Sequence, residues 1–129
     1  MTVLVGYVPT PEGDAAFSAA LQEARRRSEP LVVLNSPRGG APVSVDAAPD
    51  DAVRRMSERA EADGVALELR RTTHSGEAAD EILRVARQVD ASVIVIGLRR
   101  RSPVGKLLMG SSAQRILLDA DRPVLAVKP

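Results

Sequence analysis

The run Val93-Ile94-Val95-Ile96-Gly97 passes into Leu98-Arg99-Arg100-Arg101-Ser102-Pro103-Val104-Gly105-Lys106, and Gly110-Ser111-Ser112 then opens a helical pattern. Four consecutive β-branched residues without polar alternation read as a strand covered on both faces, the pattern of a parallel sheet. Parallel neighbours need a crossover between them, and the helix after Gly110 supplies it. The same passage is laid out for an anion. A helix start offers unpaired N–H groups and a positive dipole end, small residues let a phosphate approach, and Arg99, Arg100, Arg101 and Lys106 precede it as a cationic wall.

Working outward, Val3 to Val8 is a second continuous apolar run, stopped by Pro9-Thr10-Pro11-Glu12-Gly13. Asp14 is the expected cap of a helix in which Phe17, Leu21 and Ala24 share a face, with Arg25, Arg26 and Arg27 at its electronegative end. Pro30 breaks that helix, and Leu31-Val32-Val33-Leu34 forms the next strand, ending at Asn35-Ser36. Residues 36–48 read as a long exposed loop. A helix from Pro49 to near Gly64 follows, with Val53, Met56 and Ala60 on one face. Val65 to Arg70 alternates apolar and polar residues, so this strand is expected at or near a sheet edge. Ser75-Gly76-Glu77 opens a helix with Ile82, Val85, Ala86 and Val89 on one face. Beyond the opening stretch, Ser111 or Ser112 is the expected cap of a helix carrying Ala113, Ile116, Leu117 and Ala120, and Pro123 to Val127 is the last strand.

Strands alternating with helices at this spacing imply an α/β, doubly wound parallel sheet with helices on both faces. At 129 residues, with no internal repeat or linker, residues 1–129 are expected to form a single domain. Ligands of such sheets bind beyond the carboxyl ends of the strands, where strand order reverses. The loops after the first and fourth strands are therefore the candidates.

Bulk composition excludes several classes. Eighteen basic against seventeen acidic residues leave a net charge of +1, so no global field draws nucleic acid or a membrane surface. Sixteen of the bases are arginine, so any one Arg reads as solvated surface; four cations beside one helix start point to a site. Without cysteine there is no disulfide or Cys-based zinc site. No apolar run approaches the ~20 residues of a membrane span, and the first residues carry no cationic leader pattern, so a cytoplasmic protein is expected. His74, the only histidine, lacks partners for metal binding or nucleophilic catalysis; Asp50, Asp51 and Glu58 fall on a solvated helix face. Gly105-Lys106 is not a Walker A loop, since Leu107 replaces the required Ser or Thr.

The chain resembles the universal stress protein family. The resemblance rests on Gly76-Glu77-Ala78, on Val93 to Gly97, on the ending Arg122-Pro123-Val124-Leu125-Ala126-Val127, and above all on Gly110-Ser111-Ser112-Ala113-Gln114-Arg115-Ile116-Leu117. It implies an adenine-nucleotide alpha-hydrolase-like fold of strand order 3-2-1-4-5 and a stress-response binding module for ATP or another phosphate-bearing ligand. It also implies a homodimer through the last strand. Under that resemblance Val8 and Pro9 line the base side, and Asn35 and Ser36 border the adenine through backbone groups. Gly97, Arg99 and Arg100 flank the phosphate path, and Gly110, Ser111 and Ser112 close on the phosphates.

Two positions depart from the family's ATP-binding pattern. Gly97 and Gly110-Ser111 stand at the expected separation, but Arg100 occupies the middle glycine position, bringing a Cβ and a long side chain. Val8 stands where an Asp faces the nucleoside, and valine accepts no hydrogen bond from its side chain. The alternative implied is a dimeric interaction module that has lost nucleotide binding. No catalytic constellation or metal-binding carboxylate is evident, so turnover, if any, is limited to slow ATP hydrolysis. Val124, Leu125, Ala126 and Val127 form an apolar edge strand, which physically invites pairing with a second copy.

Overall fold

The structure is a computed structural model that describes residues 1–35, 50–71, 78–98 and 110–129, with Asp50 and Ser111 described in their backbone alone. In chain order the elements are β1 (Thr2–Tyr7), α1 (Pro11–Arg27), β2 (Leu31–Asn35), α2 (Asp50–Ala62), β3 (Leu67–Arg71), α3 (Ala78–Gln88), β4 (Ala91–Gly97), α4 (Ser111–Asp119) and β5 (Val124–Val127). The expected starts of α2 at Pro49 and of α3 at Ser75, the loop 36–48, His74 and the basic loop all lie outside the described residues.

The five strands form one parallel sheet of order β3-β2-β1-β4-β5. The unalternating apolar runs are explained by burial on both sides. Val3, Val5, Tyr7, Leu31, Val33, Val93 and Val95 face α1 and α2, where Phe17, Leu21, Met56 and Ala60 complete one core. Leu4, Val32, Leu34, Ile94 and Ile96 face the opposite layer, packed by Ile82, Val85 and Ala86 of α3 and Ile116 of α4. β3 and β5 are the outer strands, and β3 keeps the half-buried alternation read from its sequence.

Two helix starts differ from expectation. Thr10, not Asp14, caps α1: its Oγ1 accepts the Gly13 N–H at 3.1 Å, and Pro11 supplies the first helical residue. Proline's fixed φ suits that position, so the helix begins a turn earlier than Asp14 would allow. At α4 the cap is Gly110, which has no side chain to bond, and Ser111 is already helical.

Closure at the other end of the sheet depends on Arg122. Its guanidinium, 17% exposed, donates to the carbonyls of Ala86 at 2.7 Å and Ala91 at 3.2 Å, tying the end of α3 to the start of β4. It also donates to Asp121, which holds that exposed carboxyl below the usual carboxylate range.

Candidate functional site

Strand order reverses between β1 and β4, because the chain winds from β1 to β2 and β3 on one side and then crosses to β4 and β5 on the other. The carboxyl ends of β1, β2 and β4 meet at one edge. Tyr7 is in register with Asn35, and Val5 lies between Val33 and Val95. Because α4 connects the carboxyl end of β4 to the amino end of parallel β5, its N-terminus stands at this edge as well. The topology therefore brings Val8, Pro9, Asn35, Gly97, Gly110, Ser111 and Ser112 to the same end of the sheet. Ser36, Arg99 and Arg100 lie outside the described residues.

The floor of this edge is the first turn of α1 packed onto β4. A Cβ added at Gly97 would fall 2.2 Å from the Glu12 carbonyl oxygen, and one at Gly13 would fall 1.8 Å from the Val8 carbonyl oxygen. Real Cβ atoms do not tolerate such distances from backbone, so both positions demand glycine by close approach. Gly97 thus has a structural duty separate from any ligand: it lets α1 seat against the strand end. Val8 is half-buried, with its carbonyl accepting the Thr10 N–H at 2.8 Å, while Pro9 is exposed at the rim.

Asn35 has a side-chain role in addition to the backbone one expected of it. Its side chain is 2% exposed, and Nδ2 donates to the Tyr7 carbonyl at 2.9 Å, bracing the end of β2 to the end of β1. A carboxamide at the last residue of a buried strand supplies a donor where the sheet ladder is ending, which a leucine there does not. Any contribution of Asn35 to a ligand is left to its backbone.

Tyr7, Thr10, Glu12 and Gly13 carried no site signal in the sequence, and Asp14, expected as a cap, instead pairs with Tyr7. Tyr7 is 4% exposed, and its hydroxyl donates to the Asp14 carboxylate at 3.1 Å. Burial, and then the negative charge and hydrogen bond of Asp14, push the phenol up to about 12, against a smaller lowering by Arg55. The Thr-Pro pair was the available signal for the helix start. The Tyr7–Asp14 bond had none, because it joins a strand residue to a helix residue across a turn.

Gly110 is exposed, with open space around its Cα. Its carbonyl accepts the Gln114 N–H at 3.0 Å as the first turn of α4 begins, and Ser112 is exposed. Among the described residues, no group of three or more His, Cys, Asp or Glu is placed to hold a metal ion. No helix among them is long and apolar enough to cross a membrane.

The model of the universal stress protein family matches residues 1–128. A universal stress protein of Mycolicibacterium smegmatis is 42% identical over 98% of this chain and 97% of its own length. Among solved structures, a universal stress protein from Archaeoglobus fulgidus superposes with a TM-score of 0.81 at 31% identity, covering 99% of this chain and 98% of that one. A structure of the universal stress protein from the same organism in complex with dAMP superposes with a TM-score of 0.72 at 26% identity, again over 99% and 98%.

Proposed function

Because the chain belongs to the universal stress protein family, we propose that it is a stress-response binding module for an adenine nucleotide or a related phosphate-bearing ligand. The observation that carries this reading is the convergence of the β1 and β4 ends with the start of α4 at the reversal of strand order. The dAMP carried by the solved relative supports it. The ligand's base lies against Val8 and Pro9, with the backbone of Asn35 and Ser36 beside it. Its phosphate runs past Gly97, Arg99 and Arg100 to Gly110, Ser111 and Ser112, where unpaired N–H groups at the helix start and hydroxyl donors receive negative charge.

The module binds rather than turns over its ligand, with slow ATP hydrolysis as the upper limit. Of the acids in the first turn of α1, Asp14 is engaged by the Tyr7 hydroxyl. The protein works as one domain in the cytoplasm and as a homodimer through Val124, Leu125, Ala126 and Val127 of the outer strand β5.

Titration calorimetry with dAMP, AMP, ADP and ATP tests the reading. Saturable binding that Arg99→Ala weakens is the expected result, and no heat with any of the four sinks it. The second reading, a dimeric interaction module without nucleotide, is favoured by Val8: at the position of the family's nucleoside-facing acid it offers no side-chain acceptor. It gains ground if the chain purifies as a dimer and binds none of the four.

A further inference from the structure

The first turn of α1 sets an acid beside the path proposed for the ligand's phosphates. Glu12 is half-buried, and its Cβ stands 3.1 Å from where a Cβ at Gly97 would begin. Its backbone is held there by its neighbours. Gly13 has no room for a side chain against the Val8 carbonyl, and the Gly13 N–H donates to Thr10 Oγ1 at 3.1 Å. The turn therefore resists any roll that would carry residue 12 away from the end of β4, and the short glutamate side chain keeps its carboxylate near Gly97. Asp14, the other acid of this turn, receives the Tyr7 hydroxyl.

A negative charge at this point opposes its surroundings. The start of α4 and Ser112 are brought to the same end of the sheet, where helix N–H groups and a hydroxyl favour an anion. Glu12 repels one, and the repulsion grows with the number of ionised phosphate oxygens brought near it. At neutral pH a nucleoside triphosphate free of metal carries roughly twice the charge of the monophosphate. A cation paired with the carboxylate leaves the sign unchanged, because that cation is then withheld from the phosphates. For a partly exposed charge at low ionic strength, the penalty on the longer tail amounts to about threefold in affinity.

We propose that Glu12 is a specificity-determining residue of the cleft, which turns the module toward adenylates bearing one phosphate and away from metal-free ATP. This specificity rests on the nucleotide reading above and adds to it the number of phosphates, which that reading leaves open.

Calorimetric titration of the full chain with AMP and with ATP, in EDTA and at low salt, tests it. The parent is expected to bind AMP at least as tightly as ATP. Glu12→Gln, which keeps the length of the side chain and removes its charge, is expected to raise the affinity for ATP about threefold more than that for AMP. Raising the salt to about 0.5 M is expected to shrink that contrast. Glu12→Asp keeps the charge and is expected to keep the parent's order of affinities. An equal change for both ligands in Glu12→Gln overturns the proposal and leaves Glu12 as an ordinary first-turn acid of α1, with nucleotide binding intact. A parent chain that prefers ATP overturns it too. No binding of either ligand by parent or variant is a different failure: it removes the nucleotide reading, and this specificity with it.

Discussion

The Glu12 carbonyl oxygen lies 2.2 Å from where any side chain at Gly97 would begin. The end of β4 and the first turn of α1 are therefore in backbone contact, and the mouth of the candidate site is shaped by that contact.

Gly97→Ala forces the strand end and the helix apart, and overpacking of this kind costs about 1–3 kcal/mol. Gly110→Ser meets open space and gains a capping oxygen at the α4 N-cap, so its stability stays within about 0.5 kcal/mol of the parent, on the favourable side. Urea unfolding of the two variants checks the contrast. Equal midpoints for both deny the backbone contact.

Asn35→Ala removes the buried donor to the Tyr7 carbonyl. An acceptor left without that donor in the interior costs about 1–3 kcal/mol. Chemical denaturation measures the loss, and a change under about 0.5 kcal/mol refutes the brace.

Tyr7 is the only tyrosine and tryptophan is absent, so phenolate absorbance reports this one group. Its midpoint in the folded protein is expected at about 12 rather than 10.0. The raised folded value means that the associated stability is fully present below pH 10 and is lost as pH rises through 12. Asp14→Asn lowers the midpoint by removing the neighbouring charge. A parent midpoint at the ordinary phenol value contradicts the burial of the hydroxyl against Asp14.

Arg122→Ala leaves the Ala86 and Ala91 carbonyls without their shared donor, at a cost of about 1.5–3 kcal/mol. Both carbonyls accept from Nη1 while Nε is held by Asp121, so Arg122→Lys, with one donor atom and no second nitrogen for Asp121, restores only part of it. Thermal unfolding of both variants provides the measurement, and an unchanged midpoint for Arg122→Ala argues against the tie between α3 and β4.

On β5, Leu125 and Val127 pack against the α1–α2 core and Val124 against the opposite one, so a charge at any of them disturbs the fold and is a poor test of the proposed edge pairing. Ala126 is exposed, which makes Ala126→Lys the cleaner probe of edge pairing. A folded chain of half the parent mass is expected in sedimentation; an unaltered mass removes β5 from the interface.

Much of this architecture was legible in the chain itself. The unbroken runs at Val3, Leu31 and Val93 predicted strands covered on both faces, and the alternation from Val65 to Arg70 predicted a strand at or near an edge, observed as the outer strand Leu67–Arg71, because side-chain period and solvent exposure are properties of a local segment. Phe17, Leu21, Met56, Ala60, Ile82 and Val85 announced their buried faces by helical spacing for the same reason. What only the tertiary structure decided concerns atoms brought together from different elements. Gly97 read as a phosphate glycine, yet its lack of a side chain is required by Glu12. Asn35 read as a backbone border, yet its carboxamide turns inward to Tyr7. Asp14 read as a cap, yet Thr10 holds that position and Asp14 receives the Tyr7 hydroxyl. Each outcome depends on how closely a crossover helix seats on its strand, a distance set by the packing of both layers at once and written in no single stretch of sequence.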